Sequence, residues 1–305
     1  MKRSSKLRWI LGPCAAVLLA ACISFWLRPV SYFNGFMHLR EALSGVKNHE
    51  IWVAGERVHY ETEGPASGPV VVLVHGLGGS AEDWRNLAPY LAQAGFRVYL
   101  PDLLGFGRSA RPAGFSYSVQ AEAGVVVEFM RDLGLKRVDL GGWSMGGWIV
   151  QLIAAEHPEV VRRLLLFDAA GLNVKPDWNT ALFTPATPAQ LAQLEALLTP
   201  HPLPIPGFVA QDILRIERRR GWVVKWAMAA MMTGKDVTNA LLPKLKMPVL
   251  IVWGAQDRIF PLAQAQEMHT LIPQSQLEVF AGCGHLAALD CAPQIGPKVV
   301  AFVKE

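Results

Sequence analysis

Three residues far apart in the chain have the side chains for one reaction. Ser144 lies in Gly142-Trp143-Ser144-Met145-Gly146-Gly147, at G-x-S-x-G spacing. The apolar run 137–141 before it reads as a buried strand, and 148–155 after it reads as a helix. A turn this tight strains the serine backbone, and a side chain on a flanking position would clash. It holds the hydroxyl above a sheet, at the positive end of a helix. A hydroxyl is a poor nucleophile until a base takes its proton. His285 fits that role, because it sits in the Gly-rich loop Ala281-Gly282-Cys283-Gly284-His285-Leu286, directly after a predicted strand over 277–280. The other histidines fit less well. His38 and His49 lie in a linking stretch, His59 in a hairpin, His157 at a helix end, His201 between prolines and His269 on a helix, and His75 belongs to a different loop.

The imidazole needs an acid to orient it. Asp257 stands four residues after a predicted strand over 249–253, and Asp168 ends a predicted strand over 161–167. Asp257 is preferred, since Asp168 reads more simply as a turn residue accepting backbone hydrogen bonds. A tetrahedral intermediate needs two donors for its oxyanion. The backbone N–H of Met145 supplies one. Leu77, in His75-Gly76-Leu77-Gly78-Gly79 after the strand 70–74, supplies the other.

These positions need a sheet with its loops on one edge. Residues 51–53 and 57–61 read as a hairpin, and Val70 to Val74 as a strand buried on both faces. Ser80 is expected to cap a helix through Trp84, Leu87 and Leu91, and Ser118 another. Strands and helices alternate to about residue 171, which predicts a parallel, doubly wound α/β sheet. The rhythm stops over 172–243, a Pro-rich stretch with helical patches at 188–198, 208–220 and 222–232. This is expected to be an inserted helical cap. Alternation resumes over 244–305, completing the core begun at 50–171.

The chain has 305 residues, 51% of them hydrophobic and 18% charged, which predicts a globular protein with a large core. Lys2, Arg3, Lys6 and Arg8 alone account for the net charge of +4, so basicity is a property of the tail and does not point to nucleic acid. Trp9 to Leu27 is uncharged and 19 residues long, close to the length of a membrane span. Residues 1–28 are therefore expected to anchor the chain, with the catalytic part outside the cytoplasm, on the periplasmic face of a bacterial inner membrane. Leu19-Ala20-Ala21-Cys22 also resembles a lipoprotein processing box that would leave a lipidated Cys22, and soluble export is a third outcome. In the link 29–49, Tyr32, Phe36, Leu39 and Leu43 fall at helical spacing, suited to a headgroup zone or to packing on the protein itself. Cys283 and Cys291 flank His285 and are free to pair in an oxidising compartment. No Cys/His pair has zinc-ligand spacing, so neither a metal nor another cofactor is expected.

From about residue 50 onward the chain resembles the α/β-hydrolase superfamily. The motifs that carry the resemblance are His75-Gly76-Leu77-Gly78, Asp102-Leu103-Leu104-Gly105-Phe106-Gly107-Arg108-Ser109, the Ser144 elbow, Gly254-Ala255-Gln256-Asp257 and Gly284-His285. The chain order Ser144, Asp257, His285 is the order of that superfamily. Its dehalogenases and epoxide hydrolases carry Asp at the elbow, so serine here argues against both. Thr187-Pro188 and the run Arg218 to Trp222 resemble membrane-linked bacterial lipases and esterases, including monoacylglycerol-lipase-like enzymes. The expectation is a serine hydrolase of lipid-like esters. Carbon–carbon bond hydrolysis, thioester hydrolysis and acyl transfer by the same triad are alternatives, as is an inactive binding protein on the same fold. Arg215, Arg218 to Arg220 and Lys225, interleaved with Trp222 and Trp226, suit anionic headgroups or a solvated helix. Met228, Met231 and Met232 suit an acyl tunnel or core packing.

Overall fold

The computed structural model describes residues 3–305, with side chains from Cys14 onward except Ala15, Glu41 and Ala42. The basic tail residues and the first part of the expected span at 9–27 thus lie outside the described side chains. Two helices open the chain, α1 (Arg3–Leu27) and α2 (Pro29–Leu43). Among the described residues no single helix is long and apolar enough to cross a membrane. Ala16–Leu27 and Pro29–Arg40 together reach that composition, but with a bend of 97° between them.

A hairpin follows, β1 (Lys47–Val53) and β2 (Glu56–Glu63). Its turn residues Ala54 and Gly55 both have positive φ, 51° and 82°, as a two-residue turn between twisted strands requires. β1 begins at Lys47, inside the stretch read as a link. Its polar start forms a strand only because β2 offers partners, Lys47 facing Thr62 and His49 facing Tyr60. Then come β3 (Val70–Val74), a single 3-10 turn over Ala81–Trp84, α3 (Ala88–Gln93) and β4 (Arg97–Pro101). The helix expected from Ser80 through Leu91 is therefore broken. Pro89 explains the break: inside a continuous helix it would lack a donor and clash with the preceding turn, whereas α3 carries it in its first turn. Ser80 donates its own N–H to Asp83 Oδ2 at 3.0 Å.

Next are α4 (Val119–Asp132), β5 (Val138–Trp143), α5 (Met145–Glu156) and β6 (Val161–Phe167). Ser118 caps α4, its hydroxyl accepting from the Ala121 N–H at 3.2 Å. The cap contributes α6 (Pro188–Leu198) and α7 (Gly207–Met231), and α7 merges the two patches expected at 208–220 and 222–232. Gly221 sits at the junction. It costs the helix about 1 kcal/mol relative to Ala, but a Cβ there would come within 3.3 Å of Thr184 Cγ2, so its absence lets the two segments pack. The core closes with β7 (Val249–Gly254), α8 (Leu262–Leu271), β8 (Ser275–Phe280), α9 (Ala287–Asp290) and α10 (Ala292–Lys304).

The eight strands form one sheet in the order β1-β2-β4-β3-β5-β6-β7-β8. β2 runs antiparallel to both neighbours, and the other described pairs are parallel. Alternate residues of each strand feed opposite faces. Val72 and Val74 join Phe129, Ile149, Ile153 and Met268 in one core; Val71 and Leu73 join Leu87, Leu91, Ile295 and Phe302 in the other. Each such side chain contributes roughly 1.5–3 kcal/mol on burial. Helices on both faces leave the loops at the C-terminal ends of β3, β5, β6, β7 and β8 along one edge, where ligands bind in such sheets.

Candidate active site

Ser144 links β5 to α5 at φ 55° and ψ −119°, a conformation that non-glycine residues keep only where the surroundings enforce it. The enforcement is visible. Ser144 N–H donates to the Phe167 carbonyl at 3.0 Å, and its own carbonyl accepts from Ala170 N–H at 3.0 Å, clamping it to the end of β6. A Cβ at Gly142 would lie 2.2 Å from the Gly146 oxygen, and one at Gly146 2.2 Å from the Val74 oxygen. Both are backbone atoms of packed elements with no room to yield, so the two glycines are required sterically.

The loop after β8 brings His285 to this serine. Its Nε2 lies 2.9 Å from Ser144 Oγ, and its Nδ1 lies 2.8 Å from Asp257 Oδ2. A carboxylate oxygen accepts, so Nδ1 carries the proton and Nε2 is left to receive one from the serine. The other oxygen of Asp257 accepts from the N–H groups of Ile259 (2.7 Å) and Phe260 (2.9 Å), which fixes the carboxylate. Trp143 Nε1 donates to the His285 carbonyl at 2.7 Å, tying the residue before the nucleophile to the backbone of the base. That tie was not legible in the sequence, where Trp143 is only the variable position of the elbow. Ser144, Asp257 and His285 are all buried. Asp168, the rival acid, faces elsewhere: its Oδ1 accepts from Gly254 N–H at 2.7 Å, and among the described residues Oδ2 has no partner. Burial, reinforced by the nearby charge of Asp257, pushes the Asp168 carboxyl well above its usual range.

The loop after β3 closes over the elbow. A Cβ at Gly76 would lie 3.1 Å from Ser144 Cβ and 2.8 Å from the Trp143 ring, so glycine allows this approach. Among the described residues neither Leu77 nor Met145 donates its N–H within the chain. Two free donors beside the serine meet the need of an oxyanion. His75 pins the loop, donating Nδ1–H to Gly76 O at 2.8 Å and accepting from Leu103 N–H at Nε2, 3.0 Å. Asp102 is the hub beneath, accepting from Ala81 N–H (2.7 Å), His59 Nδ1 (2.8 Å) and Arg108 N–H (2.8 Å). Burial alone would raise the Asp102 carboxyl, but these bonds and the nearby His75 hold it below its ordinary value. The site loops are thus held by buried, satisfied polar groups.

Ser144 and His285 open into a cavity of about 830 Å³ between the sheet edge and the cap, walled by Leu77, Leu191, Leu198, Ile213 and Val224 among others. Met228, Met231 and Met232 do not line it. They border a separate pocket of about 200 Å³ with Trp148 and Phe260; Met228 and Met231 are buried there, while Met232 is exposed. Among the described residues no cluster of His, Cys, Asp or Glu is arranged to hold a metal ion. Cys283 and Cys291 form a disulfide, with Cα atoms 6.2 Å apart, that joins the His285 loop to the start of α10. Closing so short a loop stabilises by about 2 kcal/mol. The Cys283→Ser/Cys291→Ser double variant is therefore expected to melt several degrees lower, and a reductant to lower the wild-type melting temperature to the same value. An unchanged melting temperature in the double variant would show that the bond contributes nothing.

The sequence profile of the alpha/beta hydrolase fold matches residues 69–197 and 232–291, more than half of the chain, and omits all of α7. Lipase 1 of Psychrobacter immobilis is 24% identical over 267 residues, covering 82% of this chain and 81% of that protein. The 2-hydroxy-6-oxo-2,4-heptadienoate hydrolase of Pseudomonas putida is 30% identical over 241 residues, covering 73% and 85%. Among solved structures, a membrane phospholipase A described as a bacterial virulence factor superposes with a TM-score of 0.84 at 25% identity, over 97% of this chain and 98% of its own. The strand order, the strained serine and these relatives agree: the chain belongs to the α/β-hydrolase fold family and is similar to hydrolases of both ester and carbon–carbon bonds.

Proposed function

We propose that the protein is a serine carboxylic-ester hydrolase that cleaves lipid-like acyl esters at a membrane surface. The observation that carries this reading is the run of contacts from Asp257 through His285 to Ser144, opening into a cavity whose wall mixes apolar and charged side chains. Ser144 Oγ attacks the ester carbonyl while His285 Nε2 takes its proton. Asp257 holds the imidazole and stabilises its cationic form. Leu77 and Met145 N–H groups receive the oxyanion. His285 returns the proton to the leaving alcohol, and a water activated by the same nitrogen then releases the acid from the acyl-enzyme.

Support for a lipid comes from the N-terminal helices. They dock on the cap: Phe25 and Trp26 meet the Phe208 ring at 6.2 and 4.4 Å, and Val30 N–H donates to Asp212 Oδ2 at 3.1 Å. Met37 is buried, whereas Tyr32, Phe33, Phe36, Leu39 and Leu43 are exposed. The exposed face suits a headgroup zone, while Met37 packs on the protein itself. Between α2 and the cap lies a second, apolar cavity of about 1190 Å³. It shares Asn34, Glu195, Ile213 and Leu286 with the cavity of Ser144, so the two adjoin. The disulfide fits an oxidising compartment. We read 1–28 as an anchor, the catalytic part lying on the periplasmic side, with lipidation at Cys22 as the alternative attachment.

A chain beginning at Val46 keeps all eight strands and the triad, and is expected to cleave short p-nitrophenyl esters while losing most of its rate on vesicle lipids. Equal rates of both chains on vesicles would remove tethering from the reading. So would full-length protein that washes off membranes in carbonate. The second reading, carbon–carbon bond hydrolysis, is favoured by the Pseudomonas putida relative. Turnover of a dienoate ring-cleavage product above that of any ester would select it.

A further inference from the structure

We propose that Arg111 and Arg220 form an anion subsite in the active-site cavity, so that the preferred ester carries a phosphate or carboxylate group near the bond that is cleaved. This deepens, and rests on, the ester-hydrolase reading. Both residues line the cavity that contains Ser144 and His285. Arg111 follows the Asp102–Ser109 segment and is held from behind, donating Nη2–H to Gly107 O at 2.8 Å and Nη1–H weakly to Ser109 O at 3.4 Å. Its Nε is buried and has no acceptor among the described residues. Arg220 reaches the same space from α7, with an exposed head.

Neither charge is matched by a carboxylate in direct contact among the described residues. A third arginine of the wall, Arg108, is compensated by Glu61 at 3.7 Å, Glu82 at 3.6 Å and the His38 ring at 2.7 Å. Among the described residues no carboxylate lies within ion-pair distance of Arg111 or Arg220. Asp102 is near Arg111, but its oxygens are occupied by His59, Ala81 and Arg108. Glu217, one turn before Arg220, also faces the cavity; burial raises its carboxyl and Arg220 draws it back. The guanidinium of Arg111 feels burial first and the like charge of Arg220 next, both lowering its pKa. The two like charges repel. A group with several anionic oxygens relieves that repulsion and satisfies the idle N–H donors, and the planar fork of arginine matches phosphate and carboxylate alike.

The test uses the full-length protein in detergent micelles and three substrates with one acyl chain: monoacylglycerol, 1-acylglycerol-3-phosphate, and an acylglycerol hemisuccinate. The quantity read is the ratio of kcat/KM on each anionic ester to that on the neutral one, so losses common to both cancel. The wild type should favour an anionic ester by about tenfold or more, the value of one charge-assisted hydrogen bond. Arg220→Gln and Arg111→Gln should each lose most of that preference. Arg218→Gln, on the same helix but outside the cavity, should keep it. Preference for phosphate alone identifies a phosphorylated headgroup, and preference for both anions a general oxyanion subsite. Because Arg111 also braces its loop, the exposed Arg220 carries the decision if Arg111→Gln does not fold. A wild-type ratio near one, or a ratio that survives Arg220→Gln, overturns the subsite while leaving ester hydrolysis standing. Failure to cleave even the neutral ester overturns the hydrolase reading beneath it.

Discussion

Replacing Ser144 or His285 with alanine is expected to remove nearly all hydrolysis and to leave the fold intact. The serine hydroxyl and the imidazole are 2.9 Å apart and act as one unit, so either loss stops proton transfer and covalent attack together. Related triads lose on the order of 10⁶-fold in kcat on such changes, and the double variant is hardly worse than the single ones. The fold survives because what is deleted from it is one or two hydrogen bonds, each worth about 1 kcal/mol. The β6 clamp on Ser144 is made by backbone atoms and remains. Steady-state kinetics with a p-nitrophenyl ester, alongside circular dichroism, measure both parts. More than about a tenth of wild-type kcat in either variant would refute these assignments, since the triad is worth many orders of magnitude.

Asp257→Asn is expected to disable the enzyme by about 10⁴-fold in kcat, and Asp168→Asn by far less. In Asp257→Asn the amide carbonyl must stay with the Ile259 and Phe260 N–H groups, which occupy Oδ1. The NH₂ group then faces His285 Nδ1, donor against donor, and forces the tautomer in which Nε2 can no longer accept the serine proton. Asp168 is a different case. Its Oδ1 accepts from Gly254 N–H, which an asparagine carbonyl reproduces, and its Oδ2 accepts no hydrogen bond of normal geometry among the described residues. Its acid is raised by burial and by Asp257, so a neutral amide imitates the protonated form. The sign of the stability effect follows. A carboxyl whose folded pKa lies above its unfolded one favours the fold at low pH and loses that contribution as pH rises past the ordinary carboxylate range. Asp168→Asn should therefore gain thermal stability relative to wild type as pH is raised from about 4 toward neutrality. If Asp168→Asn loses more kcat than Asp257→Asn, the orienting acid is Asp168.

Much of this protein follows from local sequence rules. The five-residue apolar strand at Val70–Val74, the elbow glycines, the Ser118 cap and the strand at Val161–Phe167 are dictated by short-range sterics and by burial on both faces of a sheet, and each is where its residues imply. The chain order of Ser144, Asp257 and His285 also names the site residues, because the chemistry restricts which side chains can serve. Where neighbouring propensities conflict, the sequence is weaker: Pro89 splits a helix that periodicity draws as one, and Gly221 fails to split a helix that periodicity draws as two. What only the tertiary structure decides are the relations between segments with no sequence rule linking them. The choice of Asp257 over Asp168 depends on which carboxylate the loop after β7 turns toward His285. The docking of α2 on the cap through Asp212, and the meeting of Arg111 and Arg220 at one cavity with no carboxylate at ion-pair distance among the described residues, depend on which side chains converge from residues a hundred or more positions apart. Local propensity sets each element, but long-range packing sets which charges meet in the cavity.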